Sequence, residues 1–236
     1  MENIDSRRGL HLPPIAPSVA HTLPFAVGLL WMMIPGLSAT TSYTGRTIAT
    51  LVVLLFCRPW RWYRGPQMRH LPATMLVGAL VTWVWILPES AWVQVHVPWF
   101  HAFYQRFGIL GGDGQATAVF APENVGWLHT TIRLCGSAFV IAMAEEFFWR
   151  GFVYRRLQQT QFLEAHPEDF SIVAFTIVAL AFGFEHARWF VGIFAGVAYG
   201  LLYVKTRNLW SAILAHMITN WLLGLYVLRT QSYQFW

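Results

Sequence analysis

Apolar runs of membrane-crossing length recur along the chain, separated by short polar or basic connections. A bilayer's hydrocarbon core is about 30 Å thick, and a helix needs about 20 mostly apolar residues to cross it. On that scale the pattern predicts helical spans over about Ser18 to Leu37, Thr44 to Cys57, Leu71 to Leu87 and Ile132 to Leu157. It predicts three more over about Ser171 to Ala187, Trp189 to Val204 and Leu209 to Leu228. The stretch from Glu89 to Trp127 is less regular. It mixes aromatics with histidines and reads as an interfacial segment or a short eighth span, and "GILGGDGQ" within it reads as a loop. The first residues are polar and proline-rich and predict a loose cytoplasmic tail. Arg7 and Arg8 ahead of an apolar stretch also suit a signal peptide, but nothing downstream resembles a secreted domain. The fold class is therefore all-α, a polytopic transmembrane helical bundle of seven to eight spans. There is no internal repeat and no low-complexity segment.

Composition removes the soluble alternatives. Charged residues make up 11% of the chain and hydrophobic residues 56%, against about 25% charged in soluble domains. The net charge of +5 does not point to nucleic acid, because no basic patch with interleaved aromatics remains. The basic residues lie between the apolar runs and obey the positive-inside rule. Arg7 and Arg8, the loop "RPWRWYRGPQMRH", Arg155 with Arg156, and Lys205 with Arg207 all become cytoplasmic for seven alternating spans. The lipid bilayer is the expected partner and a cell (inner) membrane the expected location. Cys57 and Cys135 sit in apolar runs and read as packing residues.

Charge inside a span is what changes the picture. "AMAEEFFWRGFVYRRL" places Glu145, Glu146 and Arg150 within an apolar run, where an unpaired charge costs several kcal/mol. Glu146 and Arg150 are spaced i, i+4 and can pair on one helix face. Glu145 points about 100° away and is less committed, so it is the carboxylate available for proton chemistry. The fifth span ends "AFGFEHARWF", with His186 four residues after Phe182 and Glu185 beside it. The seventh carries "LAHMITNW", with His216 and Asn220 on one face. A carboxylate with a histidine can activate water, and a histidine beside an asparagine can donate to a developing oxyanion. Each feature alone also has a structural reading, as an interhelical bridge or a satisfied core histidine. The combination across three spans favours chemistry. His96, His101 and His129, near interfaces or loops, read as structural.

"EEFFWR", "FGFEH" and "HMITN" together resemble the three motifs of the Rce1-like type II CAAX prenyl proteases, also called the ABI or CPBP family of intramembrane proteases. The pattern is Glu-Glu-x-x-x-Arg, Phe-x-x-x-His and His-x-x-x-Asn, met in order over roughly Ile132 to Leu228. The resemblance implies an intramembrane endopeptidase. Glu145 would be the general base on water, helped by His186. Glu146 with Arg150 would be structural or orienting, and His216 with Asn220 would form the oxyanion hole. With the spans read above, the expected division is a tail over 1–17, an N-terminal membrane region over 18–131 and a catalytic core over 132–236, of which the resemblance carries only the last. The substrate would be a membrane protein or a lipid-anchored peptide. No cofactor is expected. Zinc is the alternative, because two glutamates and two histidines could ligate it, but Arg150 would repel a cation and the groups come singly from three spans. No His-Glu-x-x-His string occurs. Glu185, absent from the family pattern, is expected to pair with Arg188 or to modulate the site.

Two readings from other classes stay open. One is a non-catalytic scaffold or immunity protein of the same fold. The other is a proton- or ion-coupled transporter, although no matching pair of broken half-helices supports it. One expectation also conflicts with another. By helix rise, Glu145 and His216 lie roughly 10 to 15 Å from the basic side, whereas His186 falls nearer the far side.

Overall fold

In the computed structural model the chain is described over residues 15–110, 118–166 and 169–236. The tail with Arg7 and Arg8 and most of the glycine-rich loop lie outside the described residues. Among the described residues every regular element is helical. Seven longer helices overlap the apolar runs: α1 (Pro17–Trp31), α2 (Ala39–Cys57), α3 (Leu71–Ile86), α4 (Pro122–Gln158), α5 (Ile172–Phe184), α6 (Trp189–Thr206) and α7 (Leu209–Thr230), with α1 ending short of Leu37 and α4 beginning well before Ile132. The irregular stretch after Glu89 forms two short helices, Ala91–His96 and Pro98–Phe103.

Four of these helical stretches are long and apolar enough to cross a membrane: α4, α6, α7 and the one over Met68–Glu89, which includes α3. The others fall short for local reasons. α1 has 15 residues and stops ahead of Pro35-Gly36. The first half of α2, "ATTSYTGRT", is polar. α5 has 13 residues and ends at Phe184, because the chain turns there toward α6. The molecule is a membrane protein, with Leu55, Phe56, Leu76, Ile172 and Phe194 among its exposed large apolar side chains.

α5 and α6 pack through a ridge of small residues. Gly192, Gly196 and Gly200 recur every four residues on α6 and face Gly183, Ala179 and Phe175. A Cβ at Gly196 would come within 2.8 Å of the Ala179 carbonyl oxygen. Close backbone approach of this kind is how helices associate where lipid removes the hydrophobic drive. α7 lies against α3, α6 and the middle of α4. Phe147, Phe182, Tyr199 and Ile213 lie at the centre of the core.

The bundle has two chemically distinct ends. At one, the loop after α2 meets the α6–α7 turn and the start of α1. Asn208 donates to the Gly65 carbonyl at 3.0 Å and Arg61 to the Ile15 carbonyl at 3.0 Å. Arg58, Arg64, Arg155, Arg156, Lys205 and Arg207 belong to this basic end. At the other, Arg188 clamps Glu89 through two hydrogen bonds of 2.6 and 3.0 Å and lies over the Phe235 ring. Cys57 and Cys135 are free thiols, as their apolar surroundings predict.

Candidate active site

α4 is not a uniform α-helix. Wider π turns occupy Gly136–Ile141 and Phe147–Val153, and a single α-helical turn, Ala142–Glu146, stands between them. Turns of this kind are rare and recur at functional positions. The two glutamates sit at the end of the intervening turn, both buried.

Glu146 and Arg150 pair as their spacing predicts, at 2.9 Å, with neither side chain reaching solvent. Arg150 also donates to the Gly196 carbonyl at 3.0 Å, and its guanidinium lies 4.3 Å over the face of Phe182. The same Glu146 oxygen accepts from Nδ1 of His216 at 3.0 Å. Nε2 of that ring faces Glu145, 3.7 Å from Oε2. His216 therefore bridges the two carboxylates. Tyr199 stacks on it, with ring centroids 4.8 Å apart and planes at 21°.

Glu145 is the less committed carboxylate. Its Oε2 accepts no hydrogen bond among the described residues, and it lines a cavity of about 320 Å³ that Glu146 and Arg150 do not reach. His186, His216 and Asn220 line the same cavity. His186 sits in the turn just after α5, where its Nδ1 donates to the Phe182 carbonyl at 2.8 Å and its ring stands edge-on to Trp85. That bond leaves Nε2 as the free nitrogen. Asn220 donates to the Ser137 carbonyl at 3.0 Å, within the first π turn.

The four predicted groups therefore share one cavity, but the pairing differs from expectation. Glu145 makes its nearest contact to histidine with His216, and no direct bond joins it to His186. The apparent conflict in depth has a simple cause. α5 ends two residues before His186, so the histidine approaches the cavity from a turn at the far end rather than from within a span. Glu185 does not pair with Arg188. Its Oε2 accepts the Trp149 indole N–H at 2.7 Å, and Arg188 is held by Glu89 instead. His96, His101 and His129 each hydrogen-bond a nearby backbone carbonyl. Among the described residues no three His, Cys, Asp or Glu side chains group as a metal site.

One member of the cluster, Tyr199, escaped sequence reasoning; Phe182 is the phenylalanine of the Phe-x-x-x-His motif. Tyr199 stacks on His216 from α6, and Phe182 serves Arg150, His186 and His216 as a common aromatic wall, with centroids 4.9 and 5.6 Å from the two histidines. The signal that could have found Tyr199 is its place on α6 among Gly192, Gly196 and Gly200, a helix whose small residues mark it as closely packed.

A family model described as type II CAAX prenyl endopeptidase Rce1-like matches residues 127–222. Residues 127–222 are an Rce1-like segment. Every charged or hydrogen-bonding group of the Glu146–Arg150–His216 network lies inside it, as do Glu145, His186 and Asn220. The family is one of membrane endopeptidases. No curated protein and no solved structure matches the chain. Tyr43 and Arg46, on α2, approach the Rce1-like segment from outside it: the Tyr43 hydroxyl donates to the Arg133 carbonyl at 3.2 Å, and Arg46 lines the cavity.

Proposed function

We propose that the protein is an intramembrane endopeptidase of the Rce1-like type, hydrolysing membrane proteins or lipid-anchored peptides with a water activated by Glu145. The observation that carries this reading is the asymmetry between two adjacent buried glutamates. Each has one oxygen without a hydrogen bond, but Glu146 is neutralised by Arg150 and His216 and does not reach the cavity, whereas Glu145 has no arginine partner and lines it. A carboxylate of that kind is a suitable general base, and the free Nε2 of His186 is a suitable second anchor for the same water. The second N–H of Asn220 supplies one donor for the oxyanion, and Nε2 of His216 supplies another when that ring carries both protons, its Nδ1–H being held by Glu146. Glu146 and Arg150 orient His216. In this reading the reaction uses no metal, and residues 132–236 form the catalytic core behind an N-terminal membrane region over 18–131 and a tail over 1–17. All seven long helices cross a cell (inner) membrane, with the basic end in the cytoplasm.

The test compares the membrane-protein termini of wild-type cells with those of a Glu145→Gln strain. New termini that disappear in the variant, and that purified wild-type protein regenerates, identify the substrate. Purified Glu145→Gln and His186→Ala proteins should each lose about 10²- to 10⁴-fold in turnover while remaining inserted and folded. Near-wild-type turnover by the Glu145→Gln protein sinks the assignment. Metal content is measured on the same active preparation. Stoichiometric zinc, with activity lost to o-phenanthroline and restored by metal, would make Glu145, His186 and His216 ligands instead.

A further inference from the structure

Three arginines and two glutamates, Glu145 and Glu185, line the cavity. Arg188 is neutralised by Glu89. Arg46 and Arg133 also line the cavity, and among the described residues neither pairs with a carboxylate. Nε of each is buried without a hydrogen-bond partner. They are held close by α2 and α4. Arg133 lies 4.4 Å over the ring of Tyr43, and Tyr43 is three residues from Arg46, on the same helix face. Aromatic faces hold a guanidinium without consuming its forked donors. Arg133, held in this way, and Arg46 present two guanidiniums to one cavity, an arrangement suited to an anion with paired oxygens.

We propose that Arg46 and Arg133 form a subsite for a carboxylate on the bound substrate chain, placed between the reacting groups and the cavity mouth. The proposal rests on the peptidase reading only for what the ligand is. The geometry also sets a spacing. Arg133 and Glu145 are twelve residues apart on α4, at most about 18 Å by helix rise. An extended chain covers that in about five residues. The recognised carboxylate therefore lies within about five residues of the bond to be cut.

Arg46 also acts electrostatically on Glu145 and Glu185, so a role confined to balancing those glutamates must be separable. Binding separates it, and needs no cleavage. The full-length protein in dodecyl maltoside is titrated with two amidated lipopeptides, N-dodecanoyl-Ala-Ala-Glu amide and its Gln counterpart. The wild type should bind the Glu peptide about tenfold tighter or more, as bonds between charged partners exceed neutral ones. The Arg46→Gln/Arg133→Gln protein should bind both peptides alike, with affinity for the Gln peptide unchanged. Should that variant not fold, the Arg46→Lys/Arg133→Lys protein, which keeps the charge but loses the fork, should retain only part of the preference. Equal binding of both peptides by the wild type overturns the proposal, as does a preference that survives both double variants. An equal loss of affinity for both peptides overturns it in favour of glutamate balancing. Competition by dodecyl phosphate stronger than the Glu peptide, with the preference abolished in phosphatidylglycerol nanodiscs but not in phosphatidylcholine ones, assigns the site to lipid phosphate and overturns it too. Because no arm measures turnover, failure here is distinct from failure of the peptidase reading.

Discussion

Arg150 is 1% exposed, and its charge is shared among a carboxylate, a backbone carbonyl and an aromatic face. Removing one partner of a buried pair leaves the other charged and unsolvated, a loss of about 3–5 kcal/mol. Arg150→Ala protein should therefore melt at a clearly lower temperature in detergent and be inactive. Glu146→Gln combined with Arg150→Met should recover part of the stability and none of the activity, because His216 loses the carboxylate that orients it. Phe182→Leu is a milder lesion. It removes a cation–π contact of about 0.5–2 kcal/mol, so melting should shift modestly while turnover falls further, as both histidines lose their shared wall. An unchanged melting curve for Arg150→Ala would refute the first expectation; proportional losses in stability and turnover would refute the second. At this scale the sequence revealed pairs close along the chain. Glu146 with Arg150 was legible because i, i+4 is a helix neighbour. The bridge from His216 to Glu146 joins residues seventy positions apart, and nothing in local spacing encodes it. Glu185 misled for the same reason. Arg188 is its neighbour in sequence, but Glu89 and Trp149 reach the two residues from other helices.

Among the elements, helix positions were legible and their inner form was not. Length and apolarity locate α3, α6 and α7 to within a few residues, since burial of backbone polar groups in a bilayer leaves little alternative to a helix. The π turns on either side of Glu145 and Glu146 leave no mark in hydropathy. They depend on what packs against α4, including Thr47 and Tyr43 beside Gly136 and Tyr63 and His21 beside Gly151. The glycines of α6 make the strongest element-scale prediction. In Gly196→Ala the added methyl meets the Ala179 backbone rather than a flexible side chain. Overpacking of that kind costs about 1–3 kcal/mol. The same residue's carbonyl receives Arg150, so separating α5 from α6 should lower turnover as well as the melting temperature. A Gly196→Ala protein with wild-type melting would show that the two helices have slack.

For the whole molecule, the decisive feature is which end the cavity faces. Its outer lining includes Met32 after α1, Arg188 before α6 and Trp236 beyond α7, all at the end away from the basic loops. In the orientation proposed above, with those loops in the cytoplasm, the mouth opens on the opposite face. In a background lacking Cys57 and Cys135, a cysteine at Met33, 77% exposed, should react with a membrane-impermeant maleimide added to intact cells. One at Met68, 76% exposed at the basic end, should react only after permeabilisation. The reverse pattern would invert the orientation. The direction of the mouth also fixes an order in time. On the proposed peptidase activity and orientation, a protein cut here has first reached that face, so translocation precedes cleavage and blocking export should stop processing even when enzyme and precursor share a membrane. Cells lacking the activity should accumulate a precursor that has already crossed, still tethered and open to digestion by protease supplied from outside.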